Sequence, residues 1–269
     1  MKVPARALSV NRVWIALGQG SGDLAALEVE SGMAAVLRAE LAGLFVEDIN
    51  LLRLGGLPFA GETGAASAIW RRWEAGDLER AMRIQTAQLE RLLVKAAEQA
   101  QVHWSFQTAR GRVLQEAFAV SCEAEAVVFA HANPAHALPP ISRPVAAGRA
   151  GAVKPPFLVV FDASTVAFRA LGVARDLAQQ AGAGLHVLIP AEDVVRFARM
   201  RDEASDWLNE RGSKAAYHGL SRFDAAALAE TARNRASGVL LLPAQFPAAE
   251  LSVLSTLLAQ ILCPLVLVR

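Results

Sequence analysis

Residues 157–189 read FLVVFDASTVAFRALGVARDLAQQAGAGLHVLI and contain the pattern that decides the fold. The apolar runs at 157–161 and 184–189 predict two buried strands, and residues 166–181 predict a helix between them. A helix that joins two buried strands is typical of a parallel sheet, in which the crossover is right-handed. This stretch therefore predicts an α/β fold.

The same alternation of strands and helices extends in both directions from this stretch. Further strands are predicted at 13–17, 43–46, 102–106, 126–130, 215–218, 238–242 and 265–268. Further helices are predicted at 23–39, 73–99, 112–121, 193–211, 224–235 and 251–262. Residues 50–68 are rich in Gly, Ala, Leu and Pro and predict a loop or a short helical excursion.

The two halves of the chain resemble each other. AGLFVED at 42–48 is similar to AGLHVLIPAED at 183–193, and the element order is the same in both halves. A repeat of this length implies duplicated units. We predict two open parallel-sheet, Rossmann-like α/β/α domains in tandem, at 1–140 and 157–269, with a linker at 141–156. The first domain shows four strands, and its last helix and strand are not recognisable.

Composition excludes several classes of function. The chain has 269 residues, with 27 basic and 26 acidic side chains, which argues against a nucleic-acid-binding protein that relies on a basic surface. Its two cysteines are far apart, so neither a disulfide framework nor a zinc site is expected. The uncharged run at 251–268 contains polar residues and a proline, and is interpreted as a buried helix and strand rather than a membrane span. We expect a cytoplasmic protein without membrane insertion.

Three short stretches carry a resemblance to a known family. They are FLVVFDAST at 157–165, AGAGLHVL at 181–188 and the terminal CPLVLVR at 263–269. The order and spacing of these stretches resemble those of the tandem universal stress proteins. The resemblance covers residues 13–130 and 157–269. The resemblance implies two five-stranded parallel sheets with helices on both faces. It also implies that the last strand of each sheet pairs the domains across a two-fold axis.

The resemblance also identifies candidate nucleotide-binding residues. In members that bind ATP, an aspartate ends the first strand, backbone groups after the second strand contact the base, and a glycine-rich loop after the fourth strand wraps the phosphates. Matching positions of this chain are Asp162, Val187 and Ser252. A simpler interpretation of Asp162 is a carboxylate that interacts with the free amides of a helix N-terminus.

The glycine-rich loop is missing where the resemblance requires it. Residues 241–255, LLPAQFPAAELSVLS, contain no glycine, and Leu251 stands at the position of the final glycine. Pro243 and Pro247 remove amide donors as well as flexibility. In the first half, Gly18 replaces the aspartate. We therefore expect no cofactor in the usual manner of the family; the alternative is ATP or another adenine nucleotide.

One glycine-rich loop does lie between a strand and a helix. The stretch GQGSGD at 18–23 contains Gly18, Gly20 and Gly22. It predicts either a phosphate cradle, with Glu47 or Asp48 on the ribose, or a flexible turn into a capped helix. Because the spacing is not that of the dinucleotide fingerprint, both interpretations stay open.

No arrangement of side chains predicts catalysis or metal binding. His131 and His136 lie in a proline-containing loop with no third ligand nearby. No serine or histidine is placed beside Asp162 by a motif, so no catalytic residue is predicted. Glu47–Asp48 and Glu192–Asp193 recur after matching strands and are interpreted as caps.

The interpretation that follows is a non-enzymatic stress-response or regulatory protein that binds an unknown protein partner. The alternative is a nucleotide-binding protein, with weak ATPase activity, that uses either 18–23 or Asp162. The apolar strand at 265–268 is expected at a sheet edge, where it would pair with the same strand of a second chain to form a homodimer. Alternatively, a strand from 141–153 covers this edge within one chain.

Overall fold

The computed structural model describes residues 10–17, 24–55, 57, 61–63, 70–72, 76–121, 125–129, 154–220, 222, 224–245 and 251–269. The helices in these ranges are α1 (Leu24–Leu37), α2 (Ile49–Gly55), α3 (Asp77–Ala100), α4 (Val113–Ser121), α5 (Thr165–Ala181), α6 (Val194–Asn209), α7 (Ala225–Asn234) and α8 (Leu251–Gln260). The strands are β1 (Arg12–Leu17), β2 (Glu40–Asp48), β3 (Gly61–Thr63), β4 (Trp70–Arg72), β5 (Trp104–Gly111), β6 (Ala126–Phe129), β7 (Phe157–Val160), β8 (Leu185–Pro190), β9 (Ala216–Leu220), β10 (Val239–Pro243) and β11 (Leu265–Val268).

The two halves of the described chain share one nine-stranded sheet. Its order is β5-β2-β1-β6-β11-β10-β7-β8-β9. Every neighbouring pair is parallel except β6 and β11, which are antiparallel. From either end, the first four strands have the same order: third, second, first and fourth of their half. The predicted α/β class with parallel sheets is therefore confirmed.

Helices cover both faces of this sheet. Along β1, Val13, Ile15 and Leu17 point to one core, while Trp14 and Ala16 point to the other. The first core also contains buried side chains of α1, α3, α5 and α6, and the second contains those of α4, α7 and α8. Among the described helices, none is both long and apolar enough to cross a membrane.

The C-terminal strand is not a sheet edge. Leu265 pairs with Leu240 of β10 on one side and with Phe129 of β6 on the other. All four side chains of β11 are buried, because the strand lies in the middle of the sheet. The homodimer predicted through this strand is therefore wrong, since the edge is already paired within the chain. The covering strand is β6 rather than a segment of 141–153.

The predicted elements are found with shifted boundaries. Helix α3 begins at Asp77 rather than at 73, because Gly76 has a left-handed φ of 97° that does not fit a helix. Within 50–68, the structure contains helix α2 and strand β3, which pairs antiparallel with β4. The predicted linker at 141–156 lies outside the described residues except for Lys154–Pro156.

Candidate functional site

The candidate site is the carboxyl edge of the sheet in the second half. There β7 lies between β10 and β8, and the helices that follow β7 and β10 pack on opposite faces. Such a switch point leaves a crevice in which α/β proteins bind ligands. Asp162 follows β7 at this edge, and Ala244 follows β10.

Asp162 belongs to a tightly hydrogen-bonded turn. Its Oδ1 accepts a hydrogen bond from the amide of Ser164 at 2.9 Å. The hydroxyl of Ser164 in turn accepts from the amide of Ala167 at 3.1 Å and caps α5. Between them, Ala163 has a φ of 64°, a left-handed conformation that costs an L-residue energy. The turn therefore places a carboxylate at the N-terminal end of α5.

Val187 does not reach the crevice. It lies in the interior of β8, paired with Val159 on one side and Tyr217 on the other, and its side chain is fully buried. The strand continues for three more residues and ends at Pro190, which has no amide hydrogen. The residue that the resemblance assigned to base contact is therefore part of the sheet core.

At the end of β10, neither Pro243 nor Ala244 offers a free amide. Pro243 is the last residue of the strand and is buried. The amide of the next residue, Ala244, donates to the carbonyl of Val268 at 2.7 Å. Ser252 lies exposed in the first turn of α8, and its carbonyl accepts a hydrogen bond from the hydroxyl of Ser255 at 2.8 Å.

Of the candidate residues in the first half, the structure describes the acids but not the glycines. Gly18, Gly20 and Gly22 lie outside the described residues. Glu47 forms an ion pair with Arg110 at 2.6 Å, and the pKa of that arginine is raised chiefly by the hydrogen bond. Asp48 Oδ1 accepts the amide of Asn50 at 2.8 Å. The two acids at the end of β2 thus make contacts within the first half.

Of the remaining residues that the sequence singled out, the structure describes Asp193 but not the two histidines. His131 and His136 lie outside the described residues. Asp193 is the N-cap of α6, and its Oδ1 accepts the amide of Arg196 at 2.7 Å. Asp193 therefore caps the helix that follows β8, whereas the sequence pattern had suggested a cap on the strand end.

The start of α6 presents an apolar surface that sequence reasoning missed. Val194 and Val195 are 82% and 80% exposed. Val195 also lines a pocket of about 430 Å³, together with Asp193, Arg196 and Arg199. The sequence could have indicated this surface, because the two valines lie before the buried residues of α6. Those buried residues are Met200, Ala204, Trp207 and Leu208.

Comparison with solved structures identifies the fold. A universal stress protein from Archaeoglobus fulgidus DSM 4304 is 14% identical, with a TM-score of 0.59 over 97% of this chain and 97% of that chain. A Pseudomonas aeruginosa UCBPP-PA14 chain described as a universal stress protein is 12% identical, with a TM-score of 0.50 over 98% of this chain and 94% of that one.

Sequence comparisons find no such likeness. No protein-family model matches the chain, and no curated protein matches it. The likeness to solved structures rests on the arrangement of strands and helices over nearly the whole chain. It confirms, at the level of fold, the resemblance carried by residues 157–165, 181–188 and 263–269. The chain has the fold of the universal stress proteins.

Proposed function

We propose that this chain is a non-enzymatic, cytoplasmic binding protein that serves a stress response or its regulation by contact with another protein. It does so without holding ATP in the manner of ATP-binding universal stress proteins. The observation that carries the proposal is the end of β10, where Pro243 has no amide hydrogen and the amide of Ala244 is bonded to Val268.

Phosphate binding by a loop depends on amides that the backbone can turn towards the ligand. Here Pro243 lacks an amide donor, and the amide of Ala244 is already hydrogen-bonded to Val268. Further along, Pro247 removes another donor, and no glycine occurs in 241–255. Each feature removes donors that a triphosphate would require, so the crevice beside Asp162 retains a carboxylate without a phosphate cradle.

Calorimetric titration with ATP and Mg²⁺ tests this part of the proposal. Neither the unmodified chain nor Asp162→Ala should bind ATP with micromolar affinity, and neither should hydrolyse it. Micromolar affinity that Asp162→Ala abolishes would contradict the proposal and support a nucleotide site in the second half. Affinity that survives Asp162→Ala would also contradict it, and would point to the loop at 18–23.

The start of α6 is the surface we propose for the protein partner. Exposed valines side by side gain free energy when another surface covers them, by about 1.5–3 kcal/mol for each fully buried side chain. Arg196 and Arg199 line the adjacent pocket and supply hydrogen-bond donors at its rim. The partner would therefore present an apolar residue flanked by acceptor groups.

Site-specific photo-cross-linking in the native cell tests this surface. A photoreactive side chain at Val194 should form a discrete adduct with one protein, which mass spectrometry identifies. The matched control is Ile84, which is 54% exposed on α3 in the other half. Equal adducts from both positions, or an adduct that Arg196→Glu leaves unchanged, would contradict a specific contact at α6.

A further inference from the structure

Two histidines lie side by side on neighbouring strands of the second half. His186 of β8 pairs with Ala216 of β9, so His218 is its diagonal neighbour on the same side of the sheet. The ring centroids are 5.0 Å apart, and the ring planes are inclined by 53°. Pairing across two strands fixes this separation, because the backbone of β8 is held on both sides.

Each ring has one nitrogen without a partner. Nδ1 of His186 and Nε2 of His218 are buried from solvent and make no hydrogen bond. Buried polar atoms are nearly always satisfied in native proteins, and an orphan indicates a bound water or ion. Because the two orphans belong to neighbouring rings, one shared partner would satisfy both.

The surroundings of both rings disfavour the charged imidazolium form. Burial lowers the pKa of His186, and the positive charge of Arg235 lowers it further. Burial, Arg235 and His186 together lower the pKa of His218 to about 4. Both shifts are in the direction of the neutral imidazole, which is the form that binds metal ions.

The spacing of the rings matches shared coordination. With a metal–nitrogen distance of about 2 Å and a tetrahedral angle, two imidazole centroids lie about 5 Å apart. We propose that His186 and His218 form a two-histidine site for a borderline transition-metal ion such as Zn²⁺, bound by Nδ1 of His186 and Nε2 of His218. The described residues contain no group of three or more His, Cys, Asp or Glu side chains arranged for a metal, so water completes the coordination.

Arg235 gives the proposal a distinctive consequence. It follows α7, and its charge acts on both histidines. A guanidinium beside a bound cation weakens binding by repulsion. Replacing Arg235 with glutamine should therefore tighten zinc binding several-fold. A water molecule or an anion between the rings predicts no such gain.

Calorimetric titration with zinc chloride provides the test, carried out on the full chain and on four variants. We expect one zinc site in the unmodified chain, at least tenfold weaker binding in His186→Gln and in His218→Gln, and tighter binding in Arg235→Gln. His103→Gln, which removes an exposed histidine in the first half, should leave the affinity unchanged.

Nitrogen-15 spectra of the imidazoles test the same site without any substitution. Zinc should shift the Nδ1 resonance of His186 and the Nε2 resonance of His218, which through-bond correlation to the backbone assigns in the unmodified chain. The proposal is overturned if the unmodified chain does not bind zinc, if binding survives in both histidine variants, or if Arg235→Gln weakens it. Should a histidine variant fail to fold, the spectra of the unmodified chain decide the outcome.

Discussion

At the scale of single residues, Glu30 is the most strongly perturbed acid of the described chain. It lies in α1, which packs between α3 and α5, and neither of its carboxylate oxygens has a hydrogen-bond partner. Full burial raises its pKa from 4.5 to about 8. Because the folded value is the higher one, the unfolded chain releases this proton first as the pH rises. The free energy of unfolding therefore falls between pH 4.5 and about 8.

Replacing Glu30 with methionine should remove this pH dependence and stabilise the protein. The separation of the two pKa values makes this gain larger above pH 8 than at low pH, by an amount on the order of 5 kcal/mol. Below pH 4.5 the gain should be about 1–3 kcal/mol, the cost of a buried polar group without a partner. Denaturant unfolding at a series of pH values measures both. Glu28→Met, at a partly exposed position of the same helix, is the control and should keep the decline.

The sequence predicted the residues of the candidate site unevenly. Asp162 was placed at the carboxyl edge because an apolar run ends directly before it. Val187 was assigned from the resemblance alone, and it lies inside β8, which the sequence already predicted to extend to 189. His186 and His218 were missed because they meet only through the register of β8 and β9. Register depends on contacts that no local pattern encodes.

At the scale of secondary-structure elements, periodicity predicted the long helices and the buried strands. It missed the pairing of β3 with β4, because strands of three residues are too short to show an alternation. The two copies of the sequence AGL, at 42–44 and 183–185, also occupy different structural positions. Gly43 lies within β2 opposite Ile15, whereas Gly184 precedes β8. The repeated sequence thus indicates similar elements, but its residues are not structurally equivalent.

This difference between the two glycines predicts that replacement by alanine destabilises the protein at Gly43 but not at Gly184. A Cβ at Gly43 would lie 3.0 Å from Phe106 and 3.2 Å from Leu93, so Gly43→Ala should push α3 away from the sheet. We expect a loss of about 1–3 kcal/mol, as for other overpacked cores. At Gly184 the nearest atoms would lie 3.8 Å away, and Gly184→Ala should change stability little. Denaturant unfolding of both variants compares them; equal losses would contradict this account of α3 packing.

At the scale of the whole molecule, β6 and β11 join the two halves. Their antiparallel pairing places the fourth strand of the first half beside the fifth strand of the second. The sequence could not predict this pairing, because the two strands are far apart in the chain and both are short apolar runs. An apolar strand at the end of a chain looks the same whether it lies at an edge or in the centre.

The central position of β11 predicts that the chain cannot fold without it. Burial of Leu265, Val266, Leu267 and Val268 contributes about 1.5–3 kcal/mol for each side chain. Their sum is comparable with the whole stability of a typical domain, about 5–15 kcal/mol. A chain that ends at Pro264 also exposes the unpaired edges of β6 and β10, which favour aggregation.

Circular dichroism and light scattering on two shortened chains test this prediction. The chain that ends at Pro264 should lose cooperative unfolding and aggregate. The chain that ends at Val268 is the matched control: it keeps β11 and loses the contacts of Arg269, which include hydrogen bonds to the carbonyl of Glu125 and from the guanidinium of Arg169. This control should unfold cooperatively with a small loss of stability. If the chain ending at Pro264 stays monomeric and cooperative, β11 does not join the halves; if both chains aggregate, Arg269 rather than the strand is essential.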